Sequence, residues 1–86
     1  MGVDFSWRPT SKTCNPIYEP RRSEFFDAMK RAFGSPMKSG DSLARWVLRE
    51  EHEQILRGLA AAGFEGAETI RQLVVEHKEI EVEAGW

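Results

Sequence analysis

Two histidines stand among glutamates, His52 within residues 50–53 and His77 within residues 76–79, and imidazole beside carboxylate is the usual raw material of a metal or acid–base site. A helical zinc protease needs His-Glu-x-x-His, so that two imidazoles one turn apart meet the same ion. Here His52-Glu53-Gln54-Ile55 is followed by Leu56, and the second ligand is missing. A carboxylate-bridged di-iron bundle needs Glu-x-x-His twice, yet Arg49 and Val74 stand three residues before the two histidines. A small enzyme or metal-binding protein using His52 and His77 is therefore the third reading of this chain, and packing and helix-end roles account for both residues more simply.

Other reactive constellations are weaker still. Cys14 is the only cysteine, with Lys12 and Asn15 nearby but no nucleophile turn around it. Gly58-Leu59-Ala60-Ala61-Ala62-Gly63 has the glycine spacing of a phosphate-binding loop, but Phe64 and Glu65 replace the lysine and hydroxyl residue that hold phosphate and magnesium. No catalytic residue, no cofactor and no metal site follows from these patterns. The expectation is a protein that is not an enzyme.

Composition narrows the rest. With 86 residues, 41% hydrophobic and 10% aromatic, the chain reads as a single small globular domain spanning 1–86, with a thin core that a homodimer would help to complete. A lone cysteine, no basic-then-apolar leader and no apolar run near the roughly 20 residues of a membrane span point to a cytoplasmic protein without membrane contact. The net charge of −2 conceals an asymmetry: residues 1–49 carry +4 and residues 50–86 carry −6. Opposite halves of this kind attract each other within a fold, or present one basic and one acidic face.

The elements that must position any site begin with the two ends. Val3-Asp4-Phe5-Ser6-Trp7 and Ile80-Glu81-Val82-Glu83-Ala84 both alternate apolar and polar, the period of a half-buried strand. Each needs a partner, so the two are expected to pair. Residues 8–22 contain Pro9, Pro16 and Pro20 and read as a long irregular connection in which Ile17 and Tyr18, framed by prolines, either dock on the core or face a partner. A first helix runs from Ser23, as N-cap, to Phe33, with Phe25, Phe26, Met29 and Phe33 on its apolar side and Gly34 as its C-terminal cap.

Residues 41–62 are ambiguous, because the six residues 49–54 are all non-apolar. One continuous helix would need His52 on the buried stripe Ala44, Leu48, His52, Ile55, Leu59. A break near Arg49 followed by a helix over 50–62 fits better. A third helix spans 66–77, with Ala67, Ile70, Leu73 and Val74 inward and Phe64 as a staple before it. The fold class is α+β, in the order β-α-α-α-β, with three helices packed on a small sheet formed by the N- and C-terminal strands. The expected core is Val3, Phe5, Trp7, Phe25, Met29, Phe33, Leu48, Ile55, Leu59, Ile70, Leu73, Val74, Ile80 and Val82. A two-stranded sheet is marginal, and 8–22, 35–48 or a second copy are the candidate sources of a third strand, whose existence the sequence leaves open.

By elimination the leading reading is a non-catalytic protein–protein interaction module, in character a small bacterial or phage regulator, immunity or anti-defence (inhibitor) protein. Its partner-binding candidates are Ile17, Tyr18, Arg21, Arg22 and Trp86, types enriched at interface hot spots or held stiffly on the surface, with the acidic row Glu79, Glu81 and Glu83 as a dock for a basic partner. A nucleic-acid-binding regulator is the second reading, built on two helices and a turn within 50–77. Its reading helix would carry Arg71 against Glu68 and Glu76, a poor match to phosphate, so nucleic acid ranks below a protein partner.

Overall fold

The computed structural model describes residues 3–9, 14–38 and 42–86. In chain order the elements are β1 (Asp4–Arg8), β2 (Asn15–Ile17), α1 (Arg22–Phe33), β3 (Met37–Lys38), β4 (Leu43–Arg49), a 3-10 turn (Glu50–His52), α2 (Glu53–Ala61), α3 (Glu65–His77) and β5 (Glu79–Gly85). The terminal strands do pair, antiparallel, from Asp4↔Gly85 to Arg8↔Glu81. They form the middle of a wholly antiparallel five-stranded sheet of order β2-β1-β5-β4-β3. Strands form in both candidate regions: β2 lies within 8–22 and β3 within 35–48, while β4 starts in the second region and runs on to Arg49. No helix among the described residues is long and apolar enough to cross a membrane.

The alternation along each strand sorts the sheet into two faces. Phe5, Trp46, Leu48, Ile80, Val82 and Ala84 lie on the inner face and are buried with residues of all three helices in one core. Asp4, Ser6, Arg8, Arg45, Val47, Arg49, Glu79, Glu81 and Glu83 point the other way. Phe25 sits at the centre of the core, its ring 4.9 Å from Phe5 and 5.3 Å from Phe64. Phe64 thus packs inward against Phe25 from the N-cap position of α3, not as a staple on its own helix.

The break near Arg49 is real, and what precedes it is a strand. Leu43–Arg49 pairs over its full length with β5, and its inward residues are Ala44, Trp46 and Leu48. The 3-10 turn then resets the helical phase, which corrects one core assignment. Ile55 belonged to a stripe drawn through a continuous helix, and it is exposed; its neighbour Leu56 is fully buried. Ser23 is likewise not the cap of α1. The helix starts one residue earlier, with Arg21 in the cap position and its carbonyl accepting the Phe25 N–H at 2.8 Å. Gly34, at φ 83°, closes α1 as expected. Gly63, at φ 103°, makes the tight turn between α2 and α3.

Candidate functional site

The proline-framed segment splits its two apolar side chains between core and solvent. Ile17 pairs with Phe5 in the sheet and is buried, so it docks the loop and is not available to a partner. Glu19, two residues on, turns inward as well and is only 2% exposed. Its Oε1 accepts the Gly66 N–H at 2.7 Å and its Oε2 accepts the Arg21 N–H at 2.8 Å. The first bond satisfies one of the free N–H groups in the opening turn of α3, where the helix dipole also favours a negative charge. Between these two buried anchors Tyr18 stands 73% exposed, the most exposed large hydrophobic side chain among the described residues. It borders a cleft of about 620 Å³ whose walls include Asp4, Pro16, Pro20 and Arg22.

Arg21 and Arg22 part company. Arg21 is a structural clasp: its guanidinium donates to Glu24 at 2.8 Å and to the Ala62 carbonyl at 3.1 Å, and lies 4.4 Å above the Phe64 ring. It ties α1 to the turn between α2 and α3. Arg22 instead reaches the sheet end, donating to Asp4 Oδ1 at 2.7 Å on the lip of the Tyr18 cleft.

Trp86 lies at the same end of the sheet. The register Phe5↔Ile17 and Asp4↔Gly85 places Tyr18 and Trp86 beyond the same strand ends, two lanes or about 10 Å apart at the strand spacing. The Trp86 N–H donates to the Ser42 carbonyl at 3.0 Å, and its ring packs 5.4 Å from Phe26 while remaining 42% exposed. Lys30 sits 4.9 Å over that same Phe26 ring. Tyr18, the Asp4–Arg22 pair, Phe26 and Trp86 therefore follow one rim. The sequence placed Phe26 on the apolar side of α1 and Asp4 in the first strand, and neither among the partner-binding candidates. Phe26 follows Phe25 by about 100° around the helix, which turns it from the core toward the rim.

The acidic row is not part of this rim, and it is not free. Glu79 is at the opposite end of β5, about 20 Å away at strand rise. Arg8 donates to Glu81 at 2.7 Å and lies 3.1 Å from Glu83; Arg49 donates to Glu79 at 2.7 Å. Arg45 stands 3.7 Å from Glu83, and the Cys14 thiol is 3.5 Å from the other oxygen of the same carboxylate. The bond to Glu81, then the charge of Glu83, raises the Arg8 pKa. The outer face is thus a ladder of alternating sign, in which the acidic row meets arginines of β1 and β4. The missing signal was β4, whose Arg45 and Arg49 lie opposite Glu83 and Glu79. The basic first half of the chain is complemented here by the acidic second half.

The remaining candidates have structural partners. His52 Nδ1 accepts the Arg49 N–H at 2.9 Å and its ring meets Phe33 edge-on at 5.5 Å. His77 packs 5.2 Å from Trp7. Among the described residues no group of three His, Cys, Asp or Glu side chains gathers to hold a metal ion. On α3, Arg71 grips Glu68 through two bonds of 2.9 and 2.7 Å and reaches Glu53 at 3.3 Å. That fork, helped by Gln72, holds the Glu68 carboxyl down at about 2, and Glu68 in turn raises the Arg71 pKa. Comparison with protein-family models, with curated proteins and with solved structures finds no match for this chain.

Proposed function

We propose that this chain is a protein-binding module without catalytic chemistry of its own, and that it docks a protein partner through the rim of Tyr18, Arg22 and Trp86. The observation that carries this reading is the setting of Tyr18. A large aromatic side chain is held 73% exposed between buried Ile17 and buried Glu19, on a backbone stiffened by Pro16 and Pro20. Rigid presentation lowers the entropy lost on binding, and Tyr, Trp and Arg are the side chains that most often anchor interfaces. The neighbouring cleft offers a partner side chain room beside it. The exposed cations of this region speak against phosphate as the target. Arg21, Arg22 and Lys30 each already sit on a carboxylate, of Glu24, Asp4 and Asp27.

The test is affinity capture with the intact tagged chain and with its Tyr18→Ala and Trp86→Ala variants, each first shown to keep the wild-type unfolding midpoint. A protein recovered reproducibly by the wild-type chain and lost with Tyr18→Ala supports the reading. Repeated capture of nothing, or of a protein indifferent to both substitutions, contradicts it.

A further inference from the structure

A second cleft, of about 570 Å³, opens beside β4, between the C-terminal end of α1, the 3-10 turn and the start of α2. Its size and make-up are those of a small-ligand site, in which apolar walls surround a few polar groups that fix orientation. The walls are Phe33, Met37, Val47, Leu48 and Ile55, with Met37 and Ile55 still 65% and 40% exposed. The Phe33 and His52 rings stand edge-on at 5.5 Å and give the cleft one aromatic corner. Its polar side chains are Ser35, Arg45 and His52, each of them a donor, and among the described residues no Asp or Glu borders it.

Two of these donors are open. Arg45 has one carboxylate nearby, Glu83 at 3.7 Å from Nε, which is too long for a hydrogen bond and is already engaged by Arg8 at 3.1 Å. The buried Nε has no hydrogen-bond partner, and no hydrogen bond reaches the rest of that guanidinium among the described residues. His52 accepts the Arg49 N–H at Nδ1, 2.9 Å away, so the neutral ring carries its proton on Nε2 and donates from there. Of the charged residues that flank the lining in sequence, Arg31 and Lys38 have no carboxylate partner among the described residues, and Glu51 has no cation. The unpaired charge around the cleft is therefore positive.

We infer that this cleft binds a small aromatic carboxylic acid, with its ring against Phe33, Val47 and Ile55 and its carboxylate on Arg45 beside His52. The planar guanidinium matches a planar carboxylate and gives it charge-assisted N–H donors. The apolar walls take the ring out of water, and that burial supplies the larger share of the affinity. Inorganic phosphate fits less well, because it has no apolar body to cover the walls and needs more donors than two side chains supply. A neutral or basic ligand of the same shape gains nothing from the Arg45 charge. The cleft shares no bordering residue with the Tyr18 rim, so this inference and that reading fail separately.

The test is a titration of the full isotope-labelled chain with phenylacetate, its neutral analogue phenylacetamide and the cationic phenethylamine, read from backbone amide and methyl spectra. The acid should give saturable shifts at Val47, His52 and Ile55, the amide should bind about tenfold more weakly, and the amine should not bind. Arg45→Gln should bring the acid down to the level of the amide and leave the amide unchanged, which separates a lost charge contact from a damaged cleft. Met37→Glu, at an exposed position, should weaken the acid more than the amide. Equal binding of acid and amide, equal losses of both in the two variants, shifts confined to the Tyr18 rim, or no saturable shift at about 10 mM acid would overturn the inference. So would tighter binding of the peptide Gly-Gly-Phe with a free carboxylate than of the acid, since a protein C-terminus would then be the occupant.

Discussion

Glu19 caps a helix far along the chain: from a buried position its Oε1 accepts the N–H of Gly66, 47 residues later, at 2.7 Å. The second oxygen is held by the Arg21 N–H, so one carboxylate fixes both the loop that carries Tyr18 and the start of α3. Replacing it removes two charge-assisted bonds and leaves two donors without their partner. Glu19→Ala should lower stability in urea by roughly 2–3 kcal/mol, and the exchange protection of the Gly66 amide should fall with it. Glu19→Gln, which keeps one acceptor, should cost about half as much.

Two glycines in helices should respond in opposite directions to alanine. A Cβ on Gly66 would lie 3.1 Å from a Phe25 ring carbon and 3.2 Å from the Glu19 side chain, both packed and immobile. Gly66→Ala should therefore destabilise by about 1–3 kcal/mol despite the better helix propensity. Gly58, within α2, has nothing within 4 Å of the same atom, so Gly58→Ala should stabilise by about 0.5–1 kcal/mol. Thermal or urea unfolding of the two variants checks both signs.

The phase of α2 makes a sharp contrast between adjacent residues. Leu56 is fully buried and Ile55 is 40% exposed. Leu56→Ala should cost about 2–5 kcal/mol, and Ile55→Ala under about 1 kcal/mol. Equal losses would mean that the helix is rotated from the position described.

The Glu68–Arg71 fork gives a pH dependence of defined sign. The Glu68 carboxyl is lowered to about 2 from an ordinary 4.5, first by the Arg71 bonds and then by Gln72. A depressed carboxyl favours the folded state above its unfolded value and loses that contribution as pH falls from about 4.5 through about 2. Carboxyl carbon shifts followed through an acid titration should place the Glu68 midpoint near the bottom of that window. In Arg71→Gln the midpoint should return toward the ordinary carboxylate range.

How far the sequence revealed this arrangement depended on distance along the chain. The strict alternation of 3–7 and 80–84 announced the central strand pair, and the Phe25–Met29 spacing announced α1, because each pattern is complete within a few residues. β4 was harder to see. Val47 and Leu43 are apolar but lie on the outer face, which blurs the alternation of Ala44, Trp46 and Leu48 and lets a helical stripe be drawn through the same segment. β3 has only two residues and leaves no periodic trace at all. The candidate rim was partly legible: Tyr18 was visible from its prolines and Trp86 from its type. The inward turn of Glu19 and the diversion of Arg21 to Ala62 and Phe64 depend on elements more than forty residues away. The acidic row looked free for the same reason, since its cations come from β1 and β4.

The rim at Tyr18 is tested most directly by replacing that residue with a photo-reactive benzoylphenylalanine in the full chain, with the same replacement at exposed Gln54 on α2 as the comparison. Irradiation in the native cell should join position 18 to one protein partner in a defined adduct, and position 54 should give none. Absence of an adduct at 18, or the same adducts from both positions, would contradict the proposal that this surface binds a protein.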